Sequence, residues 1–153
     1  MIVDLSTFLP SAPKDIERHL RTPLVFIRVA APLVKFIPCG TEQFPEIWEE
    51  RPYWVSMRLF GFIPLGKQAI DISYPDTTNC FSMRDNGHGR IIKRWDHLMT
   101  IEPSGVGTLY RDYVTIEAGV FTVFIWAFAQ LFYRHRQRRW RQLVASGFSY
   151  GTT

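Results

Sequence analysis

The stretch 120–146, VFTVFIWAFAQLFYRHRQRRWRQLVAS, constrains the fold more than any other part of the chain. Its first half is apolar on every side, and its second half is polar on one side only. This pattern predicts one helix of about seven turns that begins buried and ends half-solvated. At 100° per residue, its apolar stripe contains Phe121, Ile125, Phe128, Ala129, Phe132, Tyr133, Trp140 and Leu143.

One charged residue, Arg136, falls inside this apolar stripe, between Phe132 and Trp140. Two interpretations are open. The side-chain stem covers apolar surface while the guanidinium reaches solvent, or the guanidinium enters a pocket beneath the helix. The other polar residues fall on the opposite side, where we expect solvent, and these are Gln130, Arg134, Gln137, Arg138 and Arg141.

The 153 residues have the length of a single domain, which we assign to residues 1–153. The 46% hydrophobic and 15% aromatic content predicts a globular domain with large apolar side chains around a core or cavity. The N-terminus lacks the pattern of a secretion signal, and the apolar runs are shorter than the ~20 residues of a membrane span. Cys39 and Cys80 fit neither a zinc site nor a disulfide scaffold, so we expect reduced thiols in the cytoplasm.

The net charge of +4 is local, because five arginines lie between positions 134 and 141 and the remainder of the chain is close to neutral. A charge run on a helix is usually a solvated face. A weak contact with an anionic membrane, or with an acidic partner, through Arg134, Arg138 and Arg141 is a further hypothesis. We expect no nucleic-acid partner. We also expect no metal and no cofactor, because the histidines lack metal-ligand spacing and no phosphate-binding loop is present.

The N-terminal part predicts a strand and then helices. Residues 2–8 alternate weakly and stop before two prolines, which is typical of an edge strand. Ser11 can cap a helix that ends near residue 21. The apolar spacing of residues 24–34 predicts a second helical segment, kinked at Pro32 and ending at 38–40. Two short helices and one bent helix are both open at this point. Residues 41–52 read as a loop.

The middle of the chain has the two-residue period of strands. We predict strands at 53–60 and 67–73 around a turn at 62–66, then a strand at 80–85 and a reversal at 86–89. The last hairpin spans 90–118 with its turn at 103–106. Pairing Ile101 with Thr108 places His97 opposite Asp112 and Trp95 opposite Val114, on a mainly apolar face.

Several phrases then show a family resemblance. These are RLFGFIPLG at 58–66, WDH at 95–97, GTLYRDYV at 107–114 and LFYRHR at 131–136. In the same order they resemble phrases of the START and polyketide-cyclase superfamily, often called SRPBCC proteins. The resemblance implies an α+β helix-grip fold, in which an antiparallel β-sheet wraps around a long C-terminal α-helix. Two short helices follow the first strand, and a cavity lies between sheet and helix.

The resemblance implies function less closely than fold, because members carry sterols, lipids, polyketides, quinones and plant metabolites, and some catalyse cyclisation or dehydration. We expect a hydrophobic small-molecule ligand of the lipid, isoprenoid or polyketide-like kind. The expected apolar wall comprises Met57, Leu59, Ile70, Ile72, Trp95, Met99, Val114, Phe128 and Phe132. The expected orienting groups are Gln68, His97, Tyr110, Asp112 and Arg136.

His97 and Asp112 allow three interpretations. They hold two strands in register, or they anchor a polar part of the ligand. In the third, His97 is a general base whose tautomer Asp112 fixes, as an aldol cyclisation or dehydration would need. The third makes the protein a cyclase/dehydratase-type enzyme. We rank it below simple ligand binding.

Overall fold

The computed structural model describes residues 1–41 and 43–150. It has the predicted helix-grip α+β architecture, with seven antiparallel strands, two short helices after the first strand and one long C-terminal helix. The strands are β1 (Ile2–Leu9), β2 (Val34–Pro38), β3 (Pro52–Leu59), β4 (Ile63–Ser73), β5 (Phe81–Gly89), β6 (Arg94–Ser104) and β7 (Gly107–Glu117). The helices are α1 (Pro13–Leu20), α2 (Pro23–Ala30) and α3 (Thr122–Ala145).

The strands form one sheet in the order β1-β7-β6-β5-β4-β3-β2. The first strand therefore pairs with the last, and β2 and β1 are the two edges. A single 3-10 turn, Gly119–Phe121, joins β7 to α3 and returns the chain across the sheet. Helix α3 packs against β1, β7 and α2. No helix within residues 1–41 and 43–150 is long and apolar enough to cross a membrane.

The long helix departs from the sequence prediction at both ends. Its first turns are exposed rather than buried, with Val123 and Phe124 at 59% and 76% exposure. In its second half, Gln137 is buried although it falls on the polar side of the helical wheel. The amide of Gln137 donates to the backbone oxygen of Leu5 at 2.8 Å, so β1 covers this position. The buried face of α3 is therefore wider than the stripe near β1.

The region before β3 contains two errors of the prediction. Helix α1 has Ala12 rather than Ser11 at its N-cap, and no side chain caps it. Helix α2 ends at Ala30, and the residues from Val34 onward form β2, which pairs with β3. Pro32 cannot donate a helical hydrogen bond. The edge of β3 has backbone N–H and C=O groups that need partners, and the residues after Pro32 supply them by pairing as a strand. The apolar residues of this region fit both the helical and the strand period. The pairing with β3 decides that the residues from Val34 onward form a strand.

The turns of the middle hairpins lie elsewhere than predicted. β4 begins at Ile63, and the ladder between β3 and β4 shifts at Met57. β5 continues to Gly89, so the predicted reversal at 86–89 is strand and the turn follows at 90–93. A Cβ at Gly87 would lie 3.1 Å from the backbone oxygen of Ala69. This glycine therefore serves a close approach of strands rather than a turn.

The last hairpin has a shorter turn and another register than predicted. Its turn is the two residues 105–106, so Ile101 pairs with Tyr110 rather than with Thr108. His97 consequently pairs with Val114, and Trp95 pairs with Ile116. The register differs by two residues, which leaves every side chain on its predicted face. His97 and Asp112 are diagonal neighbours instead of direct partners.

Candidate functional site

A cavity of about 370 Å³ lies between the sheet and α3. Its walls are mostly aromatic and aliphatic, with contributions from α2, from five strands, from the turn after β5 and from α3. The lining residues are Phe26, Val34, Phe36, Met57, Leu65, Gln68, Ile70, Asp85, Ile91, Ile92, Trp95, His97, Phe121, Phe124, Ile125, Phe128, Phe132, Tyr133 and Arg136. The sheet and the grip helix thus enclose an apolar space with a few polar groups.

Part of the site expected from the sequence lies on this wall. The predicted residues on the wall are Met57, Gln68, Ile70, Trp95, His97, Phe128, Phe132 and Arg136. The predicted residues away from it are Leu59, Ile72, Met99, Tyr110, Asp112 and Val114. Tyr110 stacks obliquely on Trp140, with ring centroids 5.4 Å apart, where the second half of α3 meets the sheet directly. The core is filled beneath the second half of α3, and the cavity lies beneath its first half.

Other wall residues escaped the sequence analysis for identifiable reasons. Phe26, Val34 and Phe36 belong to the region in which β2 was mistaken for helix. Asp85 lies on β5 within the predicted strand 80–85, and it is buried together with Met83. The alternation that places Met83 and Asp85 on the same face of the strand could have identified this wall residue. An acid at a core position makes that apolar pattern hard to recognise. Ile125 and Tyr133 of α3, and Phe121 at the end of the 3-10 turn, were on the predicted stripe.

Arg136 lies inside the protein. Its side chain is only 1% exposed, so the interpretation in which the guanidinium reaches solvent is wrong. The guanidinium carbon lies over three aromatic rings, 5.6 Å from the centroid of Phe26, 6.0 Å from Phe132 and 5.4 Å from Tyr133. One terminal nitrogen, Nη2, is 4.0 Å from the sulfur of Met99. The cation therefore sits in an aromatic and thioether environment at the cavity wall.

The guanidinium keeps an unused donor. Its Nε has no hydrogen-bond partner, and no carboxylate of the described residues lies within ion-pair distance of it. Burial acts to lower the pKa of Arg136, but the neighbouring Tyr110 and Asp112 outweigh burial and hold it above the ordinary value. Arg136 is therefore a permanent buried cation.

Asp112 is the anion behind this wall. Its Oδ1 accepts hydrogen bonds from His97 Nε2 and from the Tyr110 hydroxyl, both at 2.8 Å. Its Oδ2 accepts one from the Gln137 amide at 3.1 Å. Burial acts to raise the pKa of Asp112, but the His97 hydrogen bond and the charge of Arg136 together lower it below the ordinary value. The carboxylate is ionised, and its hydrogen-bonding capacity is largely used.

His97 joins Asp112 to the cavity. Burial lowers the pKa of His97, and the opposing effect of the Asp112 hydrogen bond does not restore it. The imidazole is therefore neutral, and its contact with Asp112 assigns the proton to Nε2. Nδ1 is then an acceptor, and it has no protein partner among the described residues. This arrangement can accept a proton or a hydrogen bond from a ligand.

Asp85 is the second acid of the site and lies on the wall itself. Its Oδ1 accepts the backbone N–H of Asp71 at 2.9 Å. Burial raises the pKa of Asp85 to about 7, so the group is partly protonated near neutral pH. Asp85 and His97 are potential metal ligands, but within residues 1–41 and 43–150 no three His, Cys, Asp or Glu side chains form a cluster.

Solved structures resemble this one over almost the whole chain. The protein TTHA0849 from Thermus thermophilus matches with a TM-score of 0.67 at 12% identity, covering 97% of this chain and 100% of that one. A START superfamily protein from Mycobacterium smegmatis matches with a TM-score of 0.61 at 10% identity, with 95% and 97% covered. The Aha1 dimer from Colwellia psychrerythraea matches with a TM-score of 0.64 at 10% identity, with 97% and 99% covered.

The likeness is one of structure. No protein-family model matches the sequence, and no curated protein matches it either. Identities near 10% show the fold alone. The chain therefore has the helix-grip fold of the START and SRPBCC proteins, as its sequence phrases predicted.

Proposed function

We propose that the protein binds a hydrophobic small molecule in the cavity between the sheet and α3. The observation that carries this proposal is an apolar space of about 370 Å³ in a domain of this size. Protein interiors are normally close-packed, and an empty apolar cavity costs stability in proportion to its volume. Ligand sites of roughly 300–1,000 Å³ have this apolar character with a few convergent polar groups.

The surface around the cavity supports entry of an apolar molecule. Phe121, Phe124 and Ile91 line the cavity and are also more than half exposed. They lie at the first turn of α3 and in the turn between β5 and β6, so these two segments form the mouth. Exposed aromatic residues at a cavity opening are typical of binding sites for apolar ligands. The resemblance to START and SRPBCC proteins favours a lipid, isoprenoid or polyketide-like compound.

Native mass spectrometry tests the proposal. The purified protein is analysed alone and after incubation with N-phenyl-1-naphthylamine, a neutral probe that fluoresces in apolar surroundings. We expect a one-to-one complex, or a co-purified compound that organic extraction removes and the probe replaces. A protein that shows neither an adduct nor saturable probe fluorescence would contradict the proposal.

The contact between His97 and Asp112 supports a second candidate, a cyclase/dehydratase-type enzyme. His97 lies on the cavity wall, and its hydrogen bond from Nε2 to Asp112 leaves Nδ1 as the acceptor nitrogen that a general base needs. On this candidate His97→Ala and Asp112→Ala each abolish turnover of a linear poly-β-carbonyl substrate while near-UV circular dichroism stays native. Turnover that survives in both variants would eliminate the candidate.

The basic side of α3 supports a weaker contact. Arg134, Arg138 and Arg141 are exposed, and Arg141 also donates to the Thr7 hydroxyl at 2.8 Å. Their contact with an anionic membrane stays a prediction. Cosedimentation with phosphatidylglycerol vesicles at low ionic strength should detect it, and it should weaken in about 0.5 M salt because the screening length becomes shorter.

A further inference from the structure

The buried guanidinium of Arg136 is the least satisfied polar group of the cavity wall. Its Nε lacks a partner, and its surroundings are three aromatic rings, the Met99 sulfur and the Tyr110 side chain. A guanidinium has five N–H donors in a planar fork that matches a carboxylate. Burying a charge without hydrogen-bonded partners is costly, and the cost is recovered when an acceptor arrives.

The protein's own acids do not supply an acceptor for the free donor of Arg136. Asp112 is near enough to influence the pKa of Arg136, but its oxygens already accept from His97, Tyr110 and Gln137. Asp85 lies on the cavity wall and accepts a backbone N–H, and among the described residues neither acid forms an ion pair with Arg136. Charge is balanced within the core, whereas the guanidinium keeps an unpartnered donor.

The cavity extends from the mouth to this cation along α3. The wall residues of α3 run from Phe124 to Arg136, which is about 18 Å at 1.5 Å per residue. Between these ends the helix contributes apolar side chains of Ile125, Phe128 and Phe132. An elongated ligand therefore meets apolar walls along its body and a cation at its inner end.

We propose that the ligand is an amphipathic acid whose elongated apolar body lies along α3 and whose carboxylate binds the guanidinium of Arg136. The inference rests on the proposed function and adds the chemical class of the ligand. The carboxylate accepts from the guanidinium fork of Arg136. The amide of Gln68 also lies on this wall. The apolar end points to the mouth at Phe124.

A series of probes with one chain and different head groups tests the proposal. Dodecanoate, 1-dodecanol and dodecylamine, each below its micelle-forming concentration, compete with bound N-phenyl-1-naphthylamine at neutral pH. Charge-assisted hydrogen bonds should make the wild-type protein bind dodecanoate about 10- to 100-fold more tightly than 1-dodecanol. Dodecylamine should bind most weakly, since its cation meets Arg136.

Variants place the preference at one residue. Arg136→Met removes the cation at similar length and should abolish the preference for the acid while 1-dodecanol still binds. Arg136→Lys should retain part of it. Arg134→Met, the same change at an exposed position of the same helix, should keep the full preference. If Arg136→Met fails to fold, the ranking in the wild-type protein and in Arg136→Lys decides.

The outcomes separate the two proposals. Equal binding of dodecanoate and 1-dodecanol to the wild-type protein would overturn the acid proposal and leave the apolar site intact. Persistence of the preference in Arg136→Met would also overturn it. Failure of every probe, including N-phenyl-1-naphthylamine, would remove the proposed function and this inference together.

Discussion

At the scale of single residues, the core around the cavity depends on the pairing of charges that do not touch. The Asp112 carboxylate accepts three side-chain hydrogen bonds, and its charge opposes that of Arg136. Substituting Asp112→Asn keeps the size of the side chain but removes this charge, and an amide hydrogen then faces groups that donate. We expect a loss of about 3–5 kcal/mol in the free energy of unfolding, measured by urea denaturation.

A double-mutant cycle separates the charge effect from the hydrogen bonds. If Asp112 compensates Arg136, the double variant Asp112→Asn with Arg136→Met should be less destabilised than the two single losses together. Single losses that simply add, or an Asp112→Asn loss below about 1 kcal/mol, would show that the two charges are independent.

Asp85 gives the free energy of unfolding a pH dependence of opposite sign to that of a salt-bridged carboxylate. Burial raises the pKa of Asp85 to about 7 in the folded state, whereas the unfolded chain leaves it near its ordinary value of about 3.9. The folded state holds the proton more tightly, so stability from this group falls as pH rises from about 4 to about 7. Asp85→Asn should therefore gain stability relative to wild type by roughly 1–4 kcal/mol between about pH 5 and pH 8.

The comparison with the variant cancels other titrations. Burial lowers the pKa of His97, so stability from His97 is lost as pH falls below about 6.5, but this occurs in both proteins. The amide oxygen introduced by Asp85→Asn can still accept the N–H of Asp71, which removes the hydrogen bond as a difference. A gap in unfolding free energy that does not change with pH would contradict the assignment of Asp85.

At the scale of elements, α3 is attached to the sheet by a polar contact as well as by apolar packing. The amide of Gln137 bridges the backbone oxygen of Leu5 on β1 and the carboxylate of Asp112 on β7. Gln137→Ala leaves both acceptors without this donor, so we expect a loss of about 1–3 kcal/mol by thermal or urea denaturation. The matched change Gln142→Ala, at an exposed position of the same helix, should cost less than about 0.5 kcal/mol. Equal losses in the two variants would contradict this attachment.

Sequence patterns predicted which side chains share a face better than which residues pair. The faces of β6 and β7 were correct because a two-residue change of register preserves them, so His97 and Asp112 meet as neighbours. The pairing itself was wrong, since a two-residue turn and a four-residue turn both fit the stretch around Gly105. The strand β2 was missed because only the open edge of β3 distinguishes it from a helix.

The same distinction explains the candidate site. Helical periodicity identified the wall residues Phe128 and Phe132 on α3. The same periodicity placed Arg136 on the apolar stripe with them, so its guanidinium had to reach either solvent or a pocket beneath the helix. Periodicity could not predict how far the cavity extends between the sheet and α3. Met99 and Tyr110 face inward as predicted, yet they lie where α3 touches the sheet, and that distance depends on packing between elements.

At the scale of the whole molecule, ligand binding requires an open space between the sheet and α3. The second half of α3 fills its contact with the sheet, whereas the first half leaves the sheet and exposes aromatic residues at a mouth. A side chain that fills the space should therefore stop binding without removing the fold. Leu65 is suitable, because it lies on the wall and is only half-buried. Leu131, 67% exposed on α3 and off the wall, offers the matched control.

Titration of N-phenyl-1-naphthylamine into wild type, Leu65→Trp and Leu131→Trp is the most direct test of this claim. We predict saturable one-to-one binding to wild type and Leu131→Trp, and at least a tenfold weaker affinity for Leu65→Trp, about 1.4 kcal/mol, with native circular dichroism in all three. Equal affinity in the three proteins, or no saturable binding to wild type, would contradict a ligand site between the sheet and the C-terminal helix.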